Sequence, residues 1–415
     1  MPDFEVDRSV PALLVKVGRY QVHHGGLGAI RTLGRLGVPV YALTERRVIP
    51  ATRSRYLTGT FDWSTTGHED PARLAAQLCA IGERIGRPSV AIAGDDEAAV
   101  LLAEQAAVLG GHFLLPPVPP HLPRELNSKR GLYGHCVALG IGAPRTRFPG
   151  SESELREYAR ELGYPLIAKN VAAFRKITDP LVPGTVVVRD EADLLHRFRG
   201  RDLSGLLLQE YLPHEHAQDW FVHFFAAPDG TCPVNMSARK LRNWPPGTGP
   251  TALARAQDNP AVTELAAYLA KSVGYRGIGN LDIRYDQRDG RYKLVDFNPR
   301  IGANFRTVES EAGLDTVRAL HLSLTGRPVP ASPPKTGRWL IVETGDYKAR
   351  LAYRWRGMSV PLPSRRGQPT VRGWWAPDDP VPYLMMLGFE TAGVLHRLGR
   401  AVLTRLRMGG RRRRR

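Results

Sequence analysis

From Ala12 to Leu109, short apolar runs of strand length alternate with longer stretches whose apolar residues recur at helical spacing, and few folds accommodate that alternation. Ala12–Val17 reads as a buried strand. Leu27, Ile30, Leu33 and Leu36 mark one helix face, which Gly37 ends, and Val38–Leu43 is the next strand. Ser89–Ala93 is a further strand, leading through Gly94, Asp95 and Asp96 into an alanine-rich helix over Glu97–Leu109. Strands joined by helical crossovers lie parallel, so about the first 115 residues are predicted to form a Rossmann-like parallel α/β unit.

The glycine cluster Gly25, Gly26 and Gly28 follows the first strand, where dinucleotide-binding chains carry GxGxxG. That pattern is absent, since Arg31 stands three residues after Gly28, and a tight turn between strand and helix is the better reading. His23 and His24 lie beside this turn, where such folds place ligands. Pro116–Pro123, PPVPPHLP, is stiff and marks a boundary. Three domains are expected: residues 1–120, 121–330 with a lid at about 145–205, and a C-terminal extension over 331–415.

Charge is uneven along the 415 residues. Of the net +18, the segment from Lys335 carries +13 (18 basic and 5 acidic residues), leaving +5 for everything before it. A polyanion-binding reading must therefore rest on the C-terminal segment. There, Leu384, Leu387, Val394, Leu395, Leu398, Val402, Leu403 and Leu406 interleave with Arg397, Arg400, Arg405 and Arg407, the pattern of a basic amphipathic helix, before Arg411–Arg415. An anionic membrane surface is the partner this suggests; nucleic acid is not favoured. Cys79, Cys136 and Cys232 are far apart and indicate neither a disulfide framework nor a zinc site. With an acidic start (Asp3, Glu5, Asp7) and no run near 18 apolar residues, a cytoplasmic protein, peripheral to a membrane at most, is expected.

The middle of the chain holds the chemistry. Asn280–Tyr285 and Arg291–Asn298 read as a hairpin around Asp289-Gly290, with Asp296 and Asn298 on one face of the second strand. A three-residue loop, Arg288-Asp289-Gly290, sets Asp282 opposite Asp296. A two-residue turn sets Asp282 opposite Phe297, on the wrong face. In the first register two carboxylates and an amide oxygen converge, a hard-oxygen set suited to magnesium and phosphate, and Arg300 can meet the same phosphates. Leu294, Val295 and Phe297 alternate with these polar residues, so a merely solvated hairpin is the weaker reading.

The segment Gly279–Phe305, GNLDIRYDQRDGRYKLVDFNPRIGANF, resembles the metal-binding hairpin of the ATP-grasp superfamily, and specifically of its carboxylate-amine ligases. Asp282, Asp296, Asn298 and Arg300 match that motif, with Asp296 where glutamate is commoner. The resemblance runs over about Leu13–Pro328. It implies an ATP-grasp fold of two α+β subdomains gripping a nucleotide, preceded by the parallel α/β domain. Lys129 in NSKRGLYGHC and Lys169 in PLIAKN resemble the two nucleotide-contacting lysines. Gln209, Glu210, Tyr211 and Leu212 in LLLQEYL resemble the strand along adenine, with Glu210 and Leu212 bonding the base, and Asp219 is the residue chosen for the ribose. Arg239 and Lys240 resemble a basic pair over the triphosphate or acyl phosphate, and with Arg300 are the expected catalytic groups. The lid loop, Asn170–Pro183, departs from the family in lacking glycine; Arg175 and Lys176 offer charge instead. The implied cofactors are ATP and Mg2+, with Mn2+ as an alternative, and the implied reaction joins a small carboxylate to an amine through an acyl phosphate. A homodimer is an implied assembly.

Overall fold

The computed structural model describes residues 4–18, 23–45, 49–66, 68–171, 180–182, 184–247, 249–358 and 369–392. The first unit is a five-stranded sheet with helices on both faces. Its elements are β1 (Ala12–Val15), α1 (His24–Gly34), β2 (Val40–Thr44), β3 (Gly59–Asp62), α2 (Pro71–Ile85), β4 (Ser89–Ala93), α3 (Asp96–Glu104), α4 (Ala106–Leu109) and β5 (Phe113–Leu114). The order is β3-β2-β1-β4-β5, every pairing parallel, as the alternation predicts. Strand order reverses between β1 and β4, so α1 and α3 start side by side at that edge, the place where open α/β sheets bind ligands.

Helix α1 shows why the glycines are needed. They sit inside its first turns, and a Cβ on Gly25 would lie 2.7 Å from the Ala303 backbone, one on Gly28 2.6 Å from Arg306. Close packing of α1 on the 303–306 loop accounts for Gly25 and Gly28.

Next come α5 (Leu122–Asn127) and α6 (Lys129–Leu139), then a small sheet built from β6 (Thr146–Arg147), α7 (Glu152–Leu162), β7 (Leu166–Asn170), β8 (Thr185–Val188), α8 (Glu191–Phe198) and β9 (Leu206–Glu210), ordered β6-β9-β7-β8. Ser151 caps α7 as its capping-box spacing predicts, accepting from the Glu154 N–H at 3.2 Å. A seven-stranded sheet follows: β10 (Ala217–Ala226), β11 (Val234–Asn243), β12 (Thr251–Ala256), α9 (Pro260–Ser272), β13 (Gly277–Asp286), β14 (Arg291–Asn298), α10 (Thr316–Leu324), β15 (Trp339–Ile341), α11 (Glu343–Trp355) and β16 (Thr370–Arg372). Its order is β14-β13-β10-β11-β12-β15-β16.

One face of this sheet, with Phe221, Phe225, Met236 and Ala254, shares a continuous core with the first unit through Leu14, Ile30 and Leu320. The other face, with Trp220, Val222, Phe224 and Phe297, packs under α5, α6 and α9. The expected boundary at residue 330 is crossed by the sheet, since β15 pairs with β12 and β16 with β15. The described part of the extension is also locked to the first unit. Arg31, fully buried, donates to Asp379 Oδ2 at 2.9 Å and to its carbonyl at 2.7 Å, and Ser54 Oγ donates to the same carboxylate. Three-residue strands joined by long connections carry too little periodicity to be read from sequence. Residues 381–392 are helical. The rest of the expected basic helix, Arg411–Arg415, and the lid residues Arg175 and Lys176 lie outside the described residues.

Candidate active site

The hairpin register combines features of neither simple turn. Asp286 pairs with Arg291 around a four-residue loop, which alone would misalign the acids, and a bulge at Val295 restores the pairing of Asp282 with Asp296 and of Asn280 with Asn298. Asp282 also lies opposite Phe221, while Asp219 on β10 lies opposite Lys240 on β11 and Arg284 on β13. Cross-strand partners share a face, so Asp219, Lys240, Arg284, Asp282, Asp296 and Asn298 all emerge on one side of the sheet.

On that face every acid meets a cation. Lys240 Nζ donates to Asp282 Oδ1 at 2.5 Å, Arg284 Nε to Asp219 Oδ1 at 2.6 Å, and Lys129, first residue of α6, to Asp296 Oδ1. Burial alone would raise the Asp282 carboxyl, but Lys240 outweighs it and holds the pKa below the ordinary value. Asn298 Oδ1 accepts from Arg300 Nη2 at 2.9 Å, and its amide donates to Asn280 Oδ1 at 3.1 Å.

Facing this surface across a cleft of about 530 Å³ is the small sheet, whose Lys169, Gln209 and Glu210 line the opposite wall. Lys169 is the odd group here. Its Nζ bonds an amide oxygen, Gln209 Oε1 at 3.0 Å, where Lys240, Arg284 and Lys129 bond carboxylates. Burial first, and then the nearby charge of Lys129, pushes its pKa down to about 8. An ammonium held this way is suited to receive an anion.

The sites read from sequence divide accordingly. Lys129, Lys169, Lys240, Asp219, Asp282 and Asp296 gather at the cleft. Arg239 does not: one residue from Lys240 on the strand, it lies opposite Trp220 and Arg255 on the other face, so the basic pair is corrected to Lys240 alone. Glu210 lines the cleft, but its carboxylate accepts from Lys293 Nζ and from the Arg145 N–H, both at 3.0 Å. Its own N–H donates to the Arg145 carbonyl, so both its carboxylate and its amide have partners inside the protein. Tyr211 and Leu212 line the cleft, their carbonyls accepting from Arg288 and Arg284. Arg300 stands apart from this lining and ties the hairpin to the first unit, donating to Asp96 Oδ1 at 2.8 Å.

Sequence reasoning missed Arg284, Asp96 and Arg356. Arg284 was findable, two residues beyond Asp282 on a strand with period-two polarity. Asp96 opens α3 beside the strand-order reversal. Arg356, just past α11, lines the cleft from a region that the sequence presents as an appendage. Among the described residues no group of three or more His, Cys, Asp or Glu side chains forms a self-sufficient metal cage. The two carboxylates Asp282 and Asp296 fit a hard divalent cation only in company with ligand oxygens.

No protein-family model matches the chain. Among curated proteins it is 21% identical over 248 residues to a D-aspartate ligase of Enterococcus faecium (strain Aus0004), covering 56% of this chain and 59% of that protein. It is 24% identical over 244 residues to a biotin carboxylase of Allochromatium vinosum, covering 55% and 51%. The chain thus spans little more than half the length of these relatives. Among solved structures, N5-carboxyaminoimidazole synthetase from Staphylococcus aureus matches with a TM-score of 0.59 at 13% identity, over 80% of this chain and 82% of that one. An L-amino acid ligase from Bacillus licheniformis matches with a TM-score of 0.58 at 15% identity, over 77% and 75%. The chain has the ATP-grasp fold of these structures.

Proposed function

We propose that this protein is an ATP-dependent ligase that joins a small carboxylate to an amine. The observation that carries the reading is the face formed by Asp282, Asp296, Lys240 and Lys129 standing across a nucleotide-sized cleft from Lys169, an ammonium that among the described residues bonds the Gln209 amide oxygen and no carboxylate. The names of the relatives and neighbours, ligases, carboxylases and synthetases, support it.

In this reading ATP lies between the two sheets, with its phosphates toward Lys169 and Lys129. Asp282 and Asp296, with Asn298 beside them, would hold Mg2+, which when bound neutralises the phosphate oxygens. A substrate carboxylate oxygen attacks the γ-phosphorus, the bond to the β-bridging oxygen breaks, and ADP leaves an acyl phosphate. The amine then attacks the acyl carbon, inorganic phosphate departs, and the amine proton passes to solvent. The chain's own groups act by position and charge, which is what phosphoryl transfer asks of a protein. Lys240 and Lys169 face the developing negative charge. Arg300, clamped between Asp96 and Asn298, fixes the hairpin end against the first unit, where the strand-order reversal offers room for the second substrate.

The test is ADP release from Mg-ATP in a matrix of amino-acid and small-acid pairs. Release that needs both a carboxylate and an amine, and that falls away in Lys169→Ala and Asp296→Ala, is the expected result. ADP formation independent of either co-substrate, or unchanged in both variants, overturns the reading.

A further inference from the structure

We propose that the C-terminal face of the molecule, α11 with the helical residues 381–392, docks on an anionic lipid bilayer surface. The observation is a concentration of exposed apolar side chains. Across the described residues, three large exposed apolar residues, Val108, Val137 and Tyr268, lie elsewhere in the chain, whereas the others all fall between Tyr347 and Phe389. Isolated exposed apolar residues need no explanation, but a contiguous patch does.

On α11, Tyr347, Leu351 and Trp355 recur every four residues and so form one stripe; Trp355 is 93% exposed. On the second helix Val381, Leu384 and Leu387 recur every three residues and are exposed, as is Phe389, while Met386 is buried. The two helices are neighbours: Lys348 donates to Glu390 at 2.8 Å, and Tyr347 and Leu387 line the groove of about 410 Å³ between them. The patch is therefore a two-helix surface with an apolar stripe on each helix.

The sequence that follows says what should cover it. Residues 393–415 contain nine arginines and no acidic residue. A second copy of the chain would bring a second such +9 segment to the same place, and like charges disfavour that pairing. A nucleic acid would satisfy the arginines but leave the apolar stripes in water. An anionic bilayer satisfies both, its headgroups taking the arginines and its interface taking Trp355, Leu384 and Phe389. Among the described residues no helix is long and apolar enough to cross a membrane, so the chain would lie on the surface. This proposal does not depend on the ligase reading.

The experiment is sedimentation of the full chain with vesicles of phosphatidylcholine alone and of phosphatidylcholine mixed with phosphatidylglycerol, at low and high salt. Binding to the mixed vesicles, weakened by salt, is expected. The triple variant Trp355→Ser, Leu384→Ser, Phe389→Ser should lower the partition coefficient at least about tenfold with an unchanged melting temperature, since all three side chains are exposed. Equal binding to both vesicle types, undiminished binding by the triple variant, or absence of vesicle binding overturns the proposal. So does concentration-dependent dimerisation or duplex DNA binding that the same substitutions abolish while vesicle binding is absent.

Discussion

Lys240 and Asp282 are joined at 2.5 Å although they are not register partners: Lys240 lies opposite Asp219, Asp282 opposite Phe221, and the contact runs diagonally across β10. The pair puts an ammonium beside the carboxylate that would hold the metal. Asp282→Asn and Asp296→Asn are each expected to lower ADP release about a hundredfold and to raise the magnesium concentration needed for half-maximal rate. Lys240→Gln should lower the rate without raising the magnesium requirement. A magnesium titration of the three variants separates the roles.

Lys169 titrates in an accessible range. Its folded pKa of about 8 lies below the ordinary 10.5, so between those values the unfolded chain binds more protons and stability rises with pH. Nucleotide phosphates placed against Lys169 would restore its proton. Binding of ADP near pH 8.5 should therefore take up a fraction of a proton, measured by calorimetry in two buffers of different ionisation enthalpy, and Lys169→Met should abolish that uptake.

Acid should weaken the fold by the same sign. His223 is fully buried, bonded to Asn304 at 3.1 Å, and burial depresses its pKa to about 3; burial likewise lowers His23 to about 4 and His24 to about 3. All three stay neutral in the fold while the unfolded chain protonates, so stability is lost as pH falls from about 6.5 toward these values. Each should contribute up to about 2 kcal/mol of loss by pH 5. Urea melts at pH 7 and pH 5 measure the slope, and His223→Gln should flatten it by about one histidine's share.

Two neighbouring aspartates should behave differently. Asp379→Ala strands the fully buried Arg31 and should cost about 3–5 kcal/mol. Asp378→Ala removes a partner of the solvent-facing Arg35, both side chains being more than a third exposed, and should cost about 1 kcal/mol or less. Thermal or urea denaturation of the two variants tests the contrast.

The elements with strong local signals were legible. The alternation in the first unit, the Ser151 cap and the strands carrying Lys169 and Asp296 need only periodicity and turn chemistry. The hairpin shows where reading stops. Asp282 and Asp296 do meet, but through a longer loop corrected by the Val295 bulge, and nothing in a valine marks a bulge. Arg239 and Lys240 looked equivalent because a dibasic pair does not announce which member faces a cleft. Glu210 looked available because Lys293 and Arg145, distant in sequence, claim it only once the sheets have assembled. The C-terminal strands were invisible for a related reason: what holds them is tertiary.

That last contact has a biosynthetic consequence. Arg31 and Asp379 are 348 residues apart. At translation rates of roughly 5–20 residues per second, the guanidinium of Arg31 waits on the order of tens of seconds before its carboxylate exists. During that interval the nascent first unit cannot bury the charge, so its closure is a late event, timed to the completion of the chain. A ribosome-bound chain stalled before residue 379 should remain open to protease near α1.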